Sequence, residues 1–175
     1  MVSIIIGGSG SGKSEFAENY IGQRASGNGL VYIATMKPFD EEMRRRIQKH
    51  QQMRLNKKFT TIECFTDLHR VEISAHSFVL LECMSNLVAN EMFLECDKGV
   101  DTVKKIMSGV KHIINSAKDV VIVTNNIFED GYQYDSTTLE YMDVLGEINR
   151  KICCKADKVI EVVHGIDLVI VPVKK

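Results

Sequence analysis

The chain has almost no charge of one sign to spare. Its 22 Lys and Arg oppose 23 Asp and Glu, for a net charge of −1. That balance argues against a nucleic-acid or membrane-surface partner, which needs a one-sided field. No apolar run approaches the roughly 20 residues that span a bilayer. Met1 leads directly into an apolar stretch, so no signal peptide is expected. The five cysteines, Cys64, Cys83, Cys96, Cys153 and Cys154, are odd in number and form no C-x-x-C pair. A zinc site and a disulfide framework are therefore disfavoured, and reduced thiols in a cytoplasmic protein are expected. Only two prolines occur, with no low-complexity linker and no internal repeat. One nucleotide-binding domain over residues 1–175 is the expectation.

What is present is ordinary in bulk and specific at one place. Hydrophobic residues make up 45% and charged residues 26%, as in a soluble globular protein. The specific place is Gly7-Gly8-Ser9-Gly10-Ser11-Gly12-Lys13-Ser14, which fits the phosphate-loop pattern G-x-x-x-x-G-K-[ST]. Val2 to Ile6 before it read as a buried strand, and Glu15 to Arg24 after it as a helix. A flexible Gly/Ser turn is the alternative reading, and the strand in front and Lys-Ser behind weigh against it. Glycines let the backbone curl so that N–H groups converge on phosphate oxygens, and the helix N-terminus adds partial positive charge. Lys13 is expected to reach the β- and γ-phosphates and the Ser14 hydroxyl to bind Mg²⁺.

The rest alternates apolar runs with helical periodicity. Strands are expected at 30–35, 59–63, 78–82, 119–124, 158–163 and 166–171. Helices are expected at 40–54, 85–94, 101–117 and 137–156. His164-Gly165 separates the last two strands as a hairpin turn. The fold class implied is α/β, a three-layer P-loop NTPase-like sandwich, with a mostly parallel sheet and an antiparallel C-terminal edge hairpin. In such sheets ligands bind beyond the carboxyl ends of the strands. Those ends carry Ala34-Thr35, Glu63, Glu82 and Thr124-Asn125-Asn126. Glu82 stands where an acid for Mg²⁺ or its water shell is expected. Glu63 is either an acceptor for a ribose or base, or an exposed strand end.

Arg46, His50 and Arg54 recur every fourth residue and share one helix face. Two guanidinium groups around an imidazole could hold a polyphosphate beside a nucleophilic nitrogen, and would favour the neutral ring. The same spacing is that of a solvated face, so it does not by itself assign catalysis. His69, His76, His112 and His164 read as structural.

These pieces resemble a known family, the bifunctional adenosylcobinamide kinase/adenosylcobinamide-phosphate guanylyltransferases of cobalamin biosynthesis. The resemblance rests on the Gly7–Ser14 loop, Tyr32-Ile33-Ala34-Thr35, Asp40-Glu41-Glu42-Met43 and Arg46-Ile47-x-x-His50. It continues through Leu80-Leu81-Glu82-Cys83, Val123-Thr124-Asn125, Gly146-x-x-Asn149 and Ala156-Asp157-Lys158-Val159, over nearly the whole chain. It implies phosphorylation of the corrinoid's aminopropanol hydroxyl, with ATP or GTP as donor. It then implies transfer of GMP from GTP, through His50, to the phosphorylated corrinoid. Nucleotide contacts are implied at Gly7, Gly8, Ser9, Gly10, Ser11, Gly12, Lys13, Ser14, Ala34, Thr35, Met36, Gln51, Gln52, Met53, Arg54, Glu63 and Glu82. Mg²⁺ is implied at Ser14 and Glu82, and a homo-oligomer, as a trimer, is implied for the assembly.

The chain departs from the family pattern on one side only. Asn126 replaces an acid. Asp130-Gly131-Tyr132-Gln133-Tyr134 replaces a Gly-Ile-Val-Pro stretch. Thr138-Leu139-Glu140-Tyr141-Met142-Asp143 lacks two arginines, at Leu139 and Met142. The nucleotide side is intact and the acceptor side is altered. Two other readings follow from that: a P-loop kinase of another small molecule, or a non-catalytic nucleotide-binding relative.

Overall fold

The computed structural model describes residues 1–26, 29–94, 101–128 and 131–171. Cys96 and Asp130 lie outside the described residues. Strand β1 (Val2–Gly7) runs into the glycine loop and helix α1 (Lys13–Ala25). Then come β2 (Leu30–Ala34), α2 (Glu41–Arg54), β3 (Thr60–Glu63), a single 3₁₀ turn (Leu68–Arg70), β4 (Phe78–Glu82) and α3 (Met84–Phe93). The chain continues through α4 (Thr102–Ser116), β5 (Asp119–Asn125), α5 (Ser136–Cys153), β6 (Lys158–Val163) and β7 (Ile166–Val171). The seven strands form one sheet in the order β3-β2-β4-β5-β1-β6-β7. All neighbours pair parallel except β6 and β7. The two-residue turn His164-Gly165 joins that antiparallel pair with φ of 50° and 80°. Both values are left-handed, as a tight hairpin with matching twist requires.

Alternation along the strands splits the core in two. Ile5, Tyr32, Leu80, Val121 and Ile160 face Ala17, Ile21 and Ala25 of α1. Ile4, Ile33, Leu81, Ile122 and Val159 face Met84 and Leu87 of α3, Ile106 and Ile113 of α4, and Leu145 and Ile148 of α5. Burying each of these aliphatic side chains contributes on the order of 1.5–3 kcal/mol. The sheet is thus covered on both faces, and all six parallel strands end on one side. That edge receives the glycine loop, α2 and the first turn of α3.

Most boundaries fall within a residue of the periodicity, and two features depart further. α5 ends at Cys153, three residues early. Lys155 N–H bonds to Ile152 O at 3.0 Å and Ala156 N–H to Cys153 O at 3.2 Å, a tightened last turn that hands Asp157 N–H to Val2 O at 2.8 Å. The 3₁₀ turn was not expected. It is capped from Asp67 at φ 56° and stapled by Lys105, whose ammonium lies 2.9 Å from Asp67 and 2.8 Å from Glu91.

Candidate active site

The glycine loop leaves β1 at Gly7, where space is short. A β-carbon there would sit 2.5 Å from Val162 O and 2.6 Å from Ser11 Oγ. Gly12, at φ 90°, starts α1 without a side-chain cap. The first-turn N–H groups of α1 therefore have no side-chain partner of their own, the arrangement that accepts an anion. The loop is held from two sides. Asn126 N–H donates to Gly7 O at 3.1 Å, and Gly165 N–H of the hairpin turn donates to Ser11 O at 2.8 Å. Lys13 Nζ donates to Gly8 O at 2.9 Å, curled over the loop it would share with phosphate. Burial pushes the Lys13 ammonium down from its usual value, and Glu82 opposes that shift.

Glu82 closes β4 directly opposite. Its Oε1 accepts from Ser14 Oγ, and its Oε2 is buried with no partner. Burial pushes this carboxyl up to about 7, against the lowering effect of the Ser14 bond. A buried carboxylate with one orphan oxygen beside a P-loop hydroxyl suits a hard divalent cation. Mg²⁺ commonly takes one or two protein oxygens and fills the remaining sites with phosphate and water. Ser14 and Glu82 fit that role. No cluster of three or more His, Cys, Asp or Glu competes for it among the described residues.

α2 forms the other side. It forms because Asp40 caps it, accepting Met43 N–H at 2.7 Å, and because Glu41 and Glu42 occupy its positive end. Glu42 and Arg46 pair one turn apart at 2.6 Å. It has no apolar face, and Arg54 is its one buried residue. The Arg54 guanidinium lies 3.5 Å from the Tyr32 ring centroid, and its Nη1 is 4.0 Å from Glu18 Oε1. Glu18 is fully buried on α1 and receives Lys57 at 2.8 Å. The end of α2 is thereby docked between β2 and the P-loop helix. One turn earlier, His50 is half-buried and its Nδ1 is buried without a hydrogen-bond partner. Desolvation, then the charges of Arg54, Lys49, Lys13 and Arg46, holds its pKa below the usual histidine value. The neutral ring, with a lone pair available, is the favoured form near neutral pH.

One cavity of about 430 Å³ joins these groups. Ser9, Lys13, Ser14, Glu82, His50 and Arg54 all border it, as do Ala34, Met36, Gln51 and Glu63. Arg46 borders it too, although its guanidinium is exposed and paired with Glu42. Gln52 is exposed and Met53 half-buried, and neither borders the cavity. Thr35 is fully buried in a polar knot rather than in the lining. Its hydroxyl donates to Cys83 O at 2.8 Å and accepts Cys83 N–H at 2.7 Å, which fixes the end of β4 and with it Glu82. Gly7, Gly8, Gly10, Ser11 and Gly12 lie in the loop but outside this lining. Sequence reasoning missed Glu18 and Tyr32. The available signal was that Glu18 stands four residues after Ser14, on the same face of α1.

The match to known proteins is decisive. Residues 3–170 fit the model of the cobinamide kinase / cobinamide phosphate guanyltransferase family. The chain belongs to this family. It is 30% identical to the bifunctional adenosylcobalamin biosynthesis protein CobU of Escherichia coli (strain K12), covering 95% of this chain and 97% of that protein. It is 28% identical to the corresponding Salmonella typhimurium protein, at the same coverage of each. With the flagellar accessory protein FlaH of Methanocaldococcus jannaschii it shares the fold at a TM-score of 0.56. Identity there is 14%, over 98% of this chain and 78% of that one. Family membership makes the chain a nucleotide-using transferase of cobalamin biosynthesis. No described helix is long and apolar enough to cross a membrane.

Proposed function

We propose that this chain phosphorylates adenosylcobinamide and then moves GMP from GTP onto the product through a guanylylated His50. The observation that carries the reading is the position of His50. A partnerless, desolvated imidazole nitrogen shares one cavity with the P-loop lysine, Ser14 and Glu82. For the first reaction the loop N–H groups and Lys13 hold the triphosphate and spread the charge that develops on it. Bound Mg²⁺, held by Ser14 and Glu82, would supply further charge neutralisation at the phosphates. For the second, an imidazole nitrogen attacks the α-phosphorus of GTP, the bond to the α,β-bridging oxygen breaks, and pyrophosphate leaves. The phosphate oxygen of the corrinoid then displaces histidine. Arg46 and Arg54 border the cavity where negative charge accumulates. The nucleotide contacts proposed are the Gly7–Ser14 loop, Ala34, Met36, Gln51, Arg54, Glu63 and Glu82.

The chain is proposed to act as one domain, in the cytoplasm, as a homotrimer like the family it resembles. The β6–β7 hairpin supports association, because Val163, Ile166, Leu168, Val169 and Ile170 are all more than 40% exposed. The deciding experiment uses GTP radiolabelled at its α-phosphate. Wild type should retain an acid-labile label after denaturation, and His50→Ala should retain none. A labelled His50→Ala protein, or an unlabelled wild type that still binds GTP, would sink the covalent route.

A further inference from the structure

Between Glu82 and the glycine loop the sheet supplies one more polar side chain, Asn125, at the end of β5. β5 lies between β4, which ends in Glu82, and β1, which feeds the loop. Asn125 pairs in register with Gly7, and the N–H of Asn126 donates to Gly7 O at 3.1 Å. Thr124 just before it is fully buried, and its hydroxyl donates to Asn149 Oδ1 of α5 at 2.8 Å. The backbone is thus tied on both sides of Asn125. Its side chain borders the 430 Å³ cavity together with Lys13, Ser14 and Glu82.

The carboxamide is oriented as well as placed. Its Nδ2 donates to Ser85 Oγ at 2.6 Å and to Cys83 Sγ at 3.7 Å. Ser85 is buried in the first turn of α3, and its Oγ lies 2.8 Å from the same sulfur. The Ser85 proton can go to that sulfur, which leaves Oγ to accept from Asn125. Both amide N–H groups are then committed to α3. The carbonyl Oδ1 remains, with no partner among the described residues. It can only accept, so it does not suit a phosphate oxygen, which accepts too. It suits a donor held close to the phosphates. Glu82 and Ser14 offer a hard dication two protein oxygens at most, and Glu82 Oε2 is buried without a partner. The remaining positions of such a cation fall to phosphate and water. Those waters are donors, and acceptors outside the first shell orient them.

We propose that Asn125 is a positioning residue of the cation site. Its Oδ1 accepts from a water on a small hydrated dication and so holds that cation against Ser14 and Glu82. The assignment rests on the Mg²⁺ reading of that pair given above. Ser85 acts one step further out, by aiming the amide.

The test titrates Mn²⁺ into the protein with the α,β-methylene analogue of GTP, which cannot transfer GMP. The nucleotide is kept below one equivalent so that none is left unbound to chelate the metal. Electron paramagnetic resonance reads the unbound Mn²⁺. Asn125→Ala and Asn125→Leu should each raise the Mn²⁺ Kd at least tenfold, the lower end of the usual loss for an outer-shell partner. The nucleotide Kd measured in EDTA should stay within threefold. Leucine keeps the side-chain volume, so one variant reports if the other misfolds. Asn125→Asp keeps an acceptor oxygen and should bind Mn²⁺ no more than threefold more weakly than wild type. A smaller rise in the folded alanine and leucine variants overturns the assignment. So does a larger loss of metal-free nucleotide, which would make Asn125 a direct nucleotide contact. An aspartate variant weaker than stated overturns it as well, since the tie to Ser85 would then be what matters. Glu82→Gln separates the two readings. If it weakens Mn²⁺ binding and the Asn125 variants do not, only the Asn125 role falls. If it binds Mn²⁺ as wild type does, the Ser14–Glu82 cation site falls and this assignment with it.

Discussion

Two helices face each other across the cavity beside the glycine loop, and they are held in opposite ways. α1 is embedded: Ala17, Ile21 and Ala25 lie in the sheet's core, and even its Glu18 is fully buried. α2 lies outside both core clusters, and its one buried residue is a cation. The P-loop side is therefore fixed by apolar packing, of order 5 kcal/mol from Ala17, Ile21 and Ala25. The side that carries His50 is positioned by a cap, ion pairs between neighbouring turns and one arginine on a tyrosine ring. A site built this way can lose its His50 geometry without losing its fold. Substitutions on the two helices should separate accordingly.

The largest effect belongs to the α1 side. Lys13→Ala should lower kcat/KM for both reactions by at least 100-fold, the scale of one positioned charge-stabilising group in a dry site. Its ammonium bonds Gly8 O, so thermal stability should change little. Steady-state assays with a melting curve check this. A large drop in melting temperature would instead make Lys13 a structural tie.

Next is the anchor of the α2 side. Arg54→Ala removes the stack on Tyr32 and one of the two cations beside Glu18. The stack alone is worth up to about 2 kcal/mol when desolvated. GMP labelling of the protein should slow by roughly tenfold on that energy, with amide exchange faster in α2 and unchanged in α1. Equal deprotection of both helices would show that they are not held independently.

The pH dependence is a finer probe of the same contact. Burial and the neighbouring cations hold His50 below the ordinary histidine value of about 6.5, so labelling should be flat from there to pH 8 and fall in acid. Loss of Arg54 takes away a positive neighbour and opens the pocket. Both changes ease protonation, so the acid limb should move to higher pH in Arg54→Ala. An inflection that stays in place would mean that Arg54 does not act on the ring's charge.

This contrast also explains what could be read from the sequence. α1, the individual strands and the hairpin are governed by apolar periodicity and short-range turn chemistry, which are local signals; the strand order is not. The loop-to-Glu82 pair was legible because strand ends converge in any parallel sheet. α2 was legible as a helix from Asp40 and its first-turn acids, yet its location was not, since no apolar stripe says what it packs on. Arg54 at the helix end and Glu18 on another helix meet only through the tertiary fold. Thr35 was expected at the nucleotide on a motif match, and it turned inward because its hydroxyl satisfies both backbone groups of Cys83. Asn126 and Met142 stood out as departures from the family pattern. That both line one cavity beside the glycine loop needed the register of β5 and α5.

The smallest expected effect concerns the far end of α2. Asp40 is exposed and accepts Met43 N–H, so Asp40→Ala should cost about 1 kcal/mol of local helix stability, the usual value for a lost N-cap. A helix without a buried face has no packing to absorb that loss, so its first turns should fray. Arg44 and Arg46, whose partners Glu41 and Glu42 sit in those turns, would then lose their fixed positions at the cavity. The KM for GTP should rise severalfold, while the overall melting temperature moves by no more than one or two degrees. Added salt should narrow the gap between variant and wild type, since the exposed pairs that organise this end are screened. If Asp40→Ala melts with the whole protein several degrees lower, α2 is coupled to the core more tightly than its single buried residue implies.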